Sequence, residues 1–126
     1  MSERGRRAER EWPVAKVHEI PPGERALVEV AGRSIGVFNV QGTFVAVRNV
    51  CPHQRAPVCL GSVRGTTLVS EPGTYHWGRE GEILTCPWHG WEFDLLTGTA
   101  LADQRKHLRR YPVTVRNETV YVMLPA

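Results

Sequence analysis

The sequence predicts a small all-β domain, an antiparallel sandwich or partly open barrel. Three observations carry that expectation: runs rich in Val, Ile and Phe recur toward both ends of the chain, short turn-forming pairs separate them, and helical periodicity is almost absent. The 126 residues suit one domain, because a chain of this size buries roughly two-thirds of its unfolded surface. Hydrophobic residues at 41% and charged residues at 23% are globular values, which excludes wholesale disorder.

Taken in order, residues 1–11 are polar and mostly charged, and are expected to form a loose basic arm. From Val14 the chain reads as strands. Residues 26–30 (ALVEV), 34–40 (SIGVFNV) and 43–49 (TFVAVRN) are separated by Ala31-Gly32 and Gln41-Gly42, connections typical of a β-meander. Near the C-terminus, residues 111–115 (YPVTV) and 119–124 (TVYVML) flank Asn117-Glu118, with Val113, Val115, Val120, Val122 and Leu124 alternating as half-buried strands do. Pro112 places its segment at an edge or a strand start. Only residues 100–108 (ALADQRKHL) offer a helical turn or two.

Charge and targeting signals exclude several classes of function. The net charge of +3 comes from 16 basic and 13 acidic residues, with basic runs at the N-terminus and at Arg105–Arg110. Neither run is interleaved with stacking aromatics, so no nucleic-acid interface is expected, and both read as solvated or partner-facing surface. Arg6-Arg7 is not followed by an apolar stretch, and no segment approaches the roughly 20 apolar residues of a membrane span. Three cysteines without a signal peptide argue against a disulfide framework, and a cytoplasmic location is expected.

Between the strand-rich ends lies a stretch of different character, from Cys51 to about Gly98. It holds all three cysteines and three of the five histidines. Cys51 and His53 form one pair in CPHQRAPVCLG, and Cys86 and His89 form another in TCPWHGWEFD, with residues 54–85 between them. Each pair offers one thiolate and one imidazole after a Cys-Pro step. If the two loops face each other, the cysteines can bind one iron and the histidines a second, with sulfides bridging, as in a Rieske [2Fe–2S] centre. A tetrahedral Cys₂His₂ zinc site uses the same residue types, and spacing alone leaves it open.

The two motifs, CPHQRAP and CPWHGWEFDLLTG, together resemble the Rieske ferredoxin family and the Rieske domains of ring-hydroxylating oxygenases. LRRYPVTVRNETVYV resembles the family's closing hairpin, so the likeness covers most of residues 12–124. The resemblance implies a Rieske-type antiparallel β-sandwich or barrel over 12–126, with an inserted cluster-binding subdomain over about 50–98. It implies one [2Fe–2S] cluster held by Cys51, His53, Cys86 and His89, and no catalytic residue. The function implied is single-electron transfer from a reductase to a terminal oxygenase or other oxidoreductase, so the partners are redox proteins. A non-catalytic Rieske subunit of a larger oxygenase or reductase complex is the alternative, with a structural zinc module behind it.

Two departures from the family pattern stand out. Arg55 takes a place where glycine is more usual. The spacing between the ligand pairs is about twice the family's, and the extra length is expected as a surface excursion over residues 62–82, the aromatic stretch around His76 lying within it. High-potential relatives carry an extra cysteine in each loop and hydroxyl donors to the cluster. Here Trp88 and Ala56 stand in the cysteine places, and Trp91 and Phe93 in those of the hydroxyl residues, which implies a low potential. Trp88 and Trp91 are expected to shield the cluster, Asp94 to cap the turn after the second loop, Cys59 to be a small buried hydrophobe, and His18 and His107 to lie on the surface.

Overall fold

The β-branched runs form strands because alternate side chains can enter a core while the backbone pairs with its neighbours. A computed structural model describes residues 9–125 except 53–55, 72–73 and 89. It divides into two compact units, one built from residues up to Arg48 together with those from Arg110, the other from Asn49–Arg109.

The first unit holds two antiparallel sheets. β1 (Glu9–Lys16), β10 (Thr119–Pro125) and β9 (Val113–Arg116) make a three-stranded sheet in the order β1-β10-β9. β2 (Arg25–Val30), β3 (Arg33–Val40), β4 (Thr43–Arg48) and β8 (Arg110–Tyr111) make a four-stranded sheet in that order. Val120, Val122 and Leu124 of the first sheet and Val30, Ile35, Val37 and Ala46 of the second share one buried cluster with Ile20 and Tyr111. This is a sandwich, and it seals because inward-facing residues alternate on β10 while β3 is buried from Ile35 to Val40.

The predicted meander is present with its turns. Ala31-Gly32, Gln41-Gly42 and Asn117-Glu118 each place two consecutive residues at positive φ, the backbone that matches the twist of a two-residue hairpin. Asn39 is a buried polar residue that no sequence pattern marks. Its amide donates to the Ile20 carbonyl at 2.8 Å and its oxygen accepts from the Gly42 N–H at 2.7 Å, which locks the β3–β4 turn to the preceding loop. Pro112 interrupts its segment, so β8 and β9 join different sheets.

One boundary at the N-terminus is corrected. The expected loose arm over residues 1–11 gives way to strand from Glu9, which pairs with Pro125, while Arg10 pairs with Leu124 and Glu11 with Met123. The cause is non-local: the segment pairs with β10, and Arg116 of β9 reaches Glu11 at 2.7 Å. Residues 1–8 lie outside the described residues.

The second unit contains β5 (Ser62–Glu71), β6 (Thr74–Thr85) and β7 (Glu92–Asp94), paired in that order. It runs past the expected end at Gly98 to Arg109. Residues 99–101 return alongside β7, with Phe93 bridged to Ala100 and Thr99 bridged to His107. Residues 100–108 are therefore turns and bridges, and no helix forms there.

Candidate metal centre

The register of the second unit's sheet decides where the two Cys-Pro loops lie. Ser62 pairs with Thr85, and Thr85 pairs with Glu92, so these three residues form one rung at one end of the sheet. The first loop arrives at that rung ahead of Ser62. The second leaves it after Thr85 and returns at Glu92. Both loops consequently stand at the same sheet end.

Their backbones also close in the same way. The Cys51 N–H donates to the Ala56 carbonyl at 2.8 Å, and the Cys86 N–H donates to the Trp91 carbonyl at 2.8 Å, a span from residue i to i+5 in each case. The second loop has an additional bond, from the Gly90 N–H to the Cys86 carbonyl at 3.0 Å, with Gly90 at φ +74°. A residue with a side chain is strained in that left-handed conformation, which accounts for the glycine after His89. Cys51 and Cys86 are 0% and 2% exposed, so both thiols are withdrawn from water.

His53 and His89 lie outside the described residues, as does Arg55. The third cysteine, Cys59, is buried in a 3₁₀ turn at Val58–Leu60, where the Asn49 side-chain oxygen accepts its N–H at 2.8 Å. That position suits the packing role expected for it. Asp94 caps its turn as expected, accepting the Leu96 N–H at 2.9 Å. His18 and His107 are exposed.

Trp88 is 58% exposed and Leu60 59%. The buried aromatic is Phe93, stacked on half-buried Trp91 with ring centroids 6.4 Å apart.

The expected excursion over residues 62–82 is a continuation of the sheet. Beyond the rung Arg64–Ile83 the pairing shifts and resumes at Thr66–Gly78, and the surplus residues include Arg79 at φ 58° and Gly81 at φ 85°. His76 thus belongs to β6, paired with Leu68, and not to a loop. The bulge bends the ribbon: the Thr66 hydroxyl donates to Glu92 at 2.9 Å, although a straight strand would carry Thr66 roughly 13 Å from the Glu92 rung. Arg79 adds a second tether, 2.8 Å from Glu82 and 2.9 Å from Asp94. Its hydrogen bonds to Asp94 and then Glu82 raise its pKa above the usual guanidinium value. No spacing rule announces Thr66–Glu92 or Arg79–Asp94, since each joins residues far apart in sequence.

The sequence model of the Rieske [2Fe–2S] domain family matches residues 10–112. The chain belongs to that family. Among curated Rieske relatives, the ferredoxin component of the naphthalene 1,2-dioxygenase/salicylate 5-hydroxylase systems of a Ralstonia species is 30% identical over 111 residues, covering 87% of this chain and 91% of its own. The ferredoxin component of the naphthalene 1,2-dioxygenase system of Pseudomonas aeruginosa is 29% identical, covering 86% and 89%. The ferredoxin of carbazole 1,9a-dioxygenase from Nocardioides aromaticivorans IC177 shares the Rieske fold with a TM-score of 0.71 at 23% identity, over 92% of this chain and 98% of its own. Family membership selects the [2Fe–2S] cluster over the zinc site. Two buried cysteines on like-closed loops at one sheet end fit a group that needs thiolates from both loops. No helix among the described residues is long and apolar enough to cross a membrane.

Proposed function

We propose that this chain is the ferredoxin component of an oxygenase system, taking one electron at a time from a reductase and delivering it to a terminal oxygenase. Its ligands are Cys51 and Cys86 to one iron and His53 and His89 to the other. The observation that carries this reading is the shared rung Ser62–Thr85–Glu92, which brings both Cys-Pro loops to one sheet end with matching backbone closures. Relatives whose names make them ferredoxin components of dioxygenase systems support the choice of partners.

When bound, the cluster supplies a one-electron redox couple. The chain's own residues bury the thiols and close the loops. Of the described loop residues, Pro52, Leu60, Pro87, Trp88 and Gly90 are exposed, and a protein partner can meet these without stripping water from charged groups. The compartment in which this takes place is proposed to be the cytoplasm.

Reconstitution tests the assignment. A reductase and a terminal oxygenase of a Rieske dioxygenase system, supplied with NAD(P)H and an aromatic substrate, are expected to form product only when this chain is added, and not when the Cys51→Ser chain replaces it. Turnover equal without the chain, or with Cys51→Ser, would remove the carrier role.

A further inference from the structure

We propose that Gly61 is a positioning residue for the cluster: the absence of a side chain there sets the spacing between the two ligand loops. Gly61 ends the first loop, where its N–H donates to the Val58 carbonyl at 2.9 Å, and the next residue, Ser62, opens β5. Its φ of −76° is open to any residue, so backbone freedom is not the reason for glycine. The reason is proximity. A Cβ built at Gly61 would lie 1.7 Å from the Thr85 carbonyl oxygen, 2.9 Å from the Thr85 carbonyl carbon and 3.2 Å from the Val58 carbonyl oxygen.

All three obstructing atoms are backbone, so no side-chain rotation relieves the clash. To reach even the 3.0 Å limit of real Cβ contacts, the two segments must part by 1.3 Å (3.0 − 1.7). The Thr85 carbonyl oxygen and the Cys86 N–H belong to one planar peptide, so displacing the first turns the second. That N–H closes the second loop on Trp91. On the other side, Gly61 follows the 3₁₀ turn that carries Cys59, held in turn by Asn49. The wedge would therefore move one loop against the other.

Metal–ligand distances tolerate errors of about 0.2 Å, whereas the required movement exceeds 1 Å. The sheet can absorb the shift by lengthening the Ser62–Thr85 rung, but a cluster bridging the loops cannot. The inference rests on the cluster reading above and concerns only this chain's residues.

The experiment compares iron and acid-labile sulfide per chain, far-UV circular dichroism and the EPR spectrum after dithionite reduction for wild type, Gly61→Ala, Ser62→Ala and Ile83→Val. Ser62→Ala introduces no bulk at the adjacent exposed position. Ile83→Val removes a buried methyl from the same sheet and reports generic destabilisation. Gly61→Ala is expected to keep the wild-type far-UV spectrum while its iron falls at least about fivefold, any residual cluster showing displaced g values; both controls keep their iron. Full iron with wild-type g values in Gly61→Ala overturns the proposal. So does a parallel loss of fold and iron that Ile83→Val reproduces. Wild type without iron would instead overturn the cluster reading itself, so the two failures are distinguishable.

Discussion

Cys51, Cys59 and Cys86 are all buried, so burial alone does not separate a proposed ligand from a packing residue. Their backbone settings differ. Cys51 and Cys86 each open a loop closed on the residue five ahead, whereas Cys59 sits inside a 3₁₀ turn. Replacing Cys51 or Cys86 by Ser is expected to abolish iron binding, measured on purified protein. Cys59→Ala should retain full iron and lose about 1 kcal/mol of stability in urea titrations, the ordinary cost of a small core truncation. Iron loss in Cys59→Ala would mean that the third thiol is part of the site. An exposed Trp88 is expected to touch the partner, so Trp88→Ala should slow electron delivery about tenfold, an interface effect near 1.4 kcal/mol, with the visible spectrum unchanged. A changed spectrum would show that Trp88 acts on the cluster instead. The proposed ligand cysteines are legible in the sequence because each Cys-Pro step has a histidine within two or three residues. Gly61 is not, because its reason for being glycine is Thr85, a neighbour only after the strands pair.

Local patterning carried most of the elements. β2, β3, β4 and β10 lie within a residue or so of the expected runs, since each is a continuous apolar or alternating segment bounded by a two-residue turn. The sequence points to a surface excursion in place of the β5–β6 ribbon because it alternates weakly there and the bend depends on tethers between distant residues, Thr66 to Glu92 and Arg79 to Asp94. Arg79→Ala is expected to cost about 1 kcal/mol, toward the upper end for a partly exposed ion pair, while leaving iron content intact; chemical denaturation followed by far-UV signal and by cluster absorbance measures both. The sign of its pH dependence follows from the raised pKa: the folded value exceeds the unfolded one, so the contribution of Arg79 is complete below the unfolded guanidinium pKa and fades only above it. Alkali rather than neutral pH would expose it. Replacing residues 67–77 by Asn-Gly on the Thr66–Gly78 rung should leave the cluster loaded; loss of iron in that chain would show that the ribbon supports the loops directly.

At the scale of the whole molecule, one unit is a sandwich and the other carries a three-stranded sheet that presents two like-closed loops from one end. The resemblance puts Trp91 and Phe93 where high-potential relatives have hydroxyl donors, so negative charge on the sulfurs of a bound cluster would be less well compensated and its reduction disfavoured. The expected reduction potential is about −150 mV, the low end of the Rieske range; protein-film voltammetry giving a value above zero would contradict the argument from missing hydroxyls. The central claim, that Cys51, His53, Cys86 and His89 hold a [2Fe–2S] cluster, is tested most directly by iron and acid-labile sulfide per chain on anaerobically purified protein, with an EPR spectrum after dithionite reduction. Two irons, two sulfides and a rhombic signal of low average g are the predicted result. Zinc without sulfide, and no EPR signal, would contradict it.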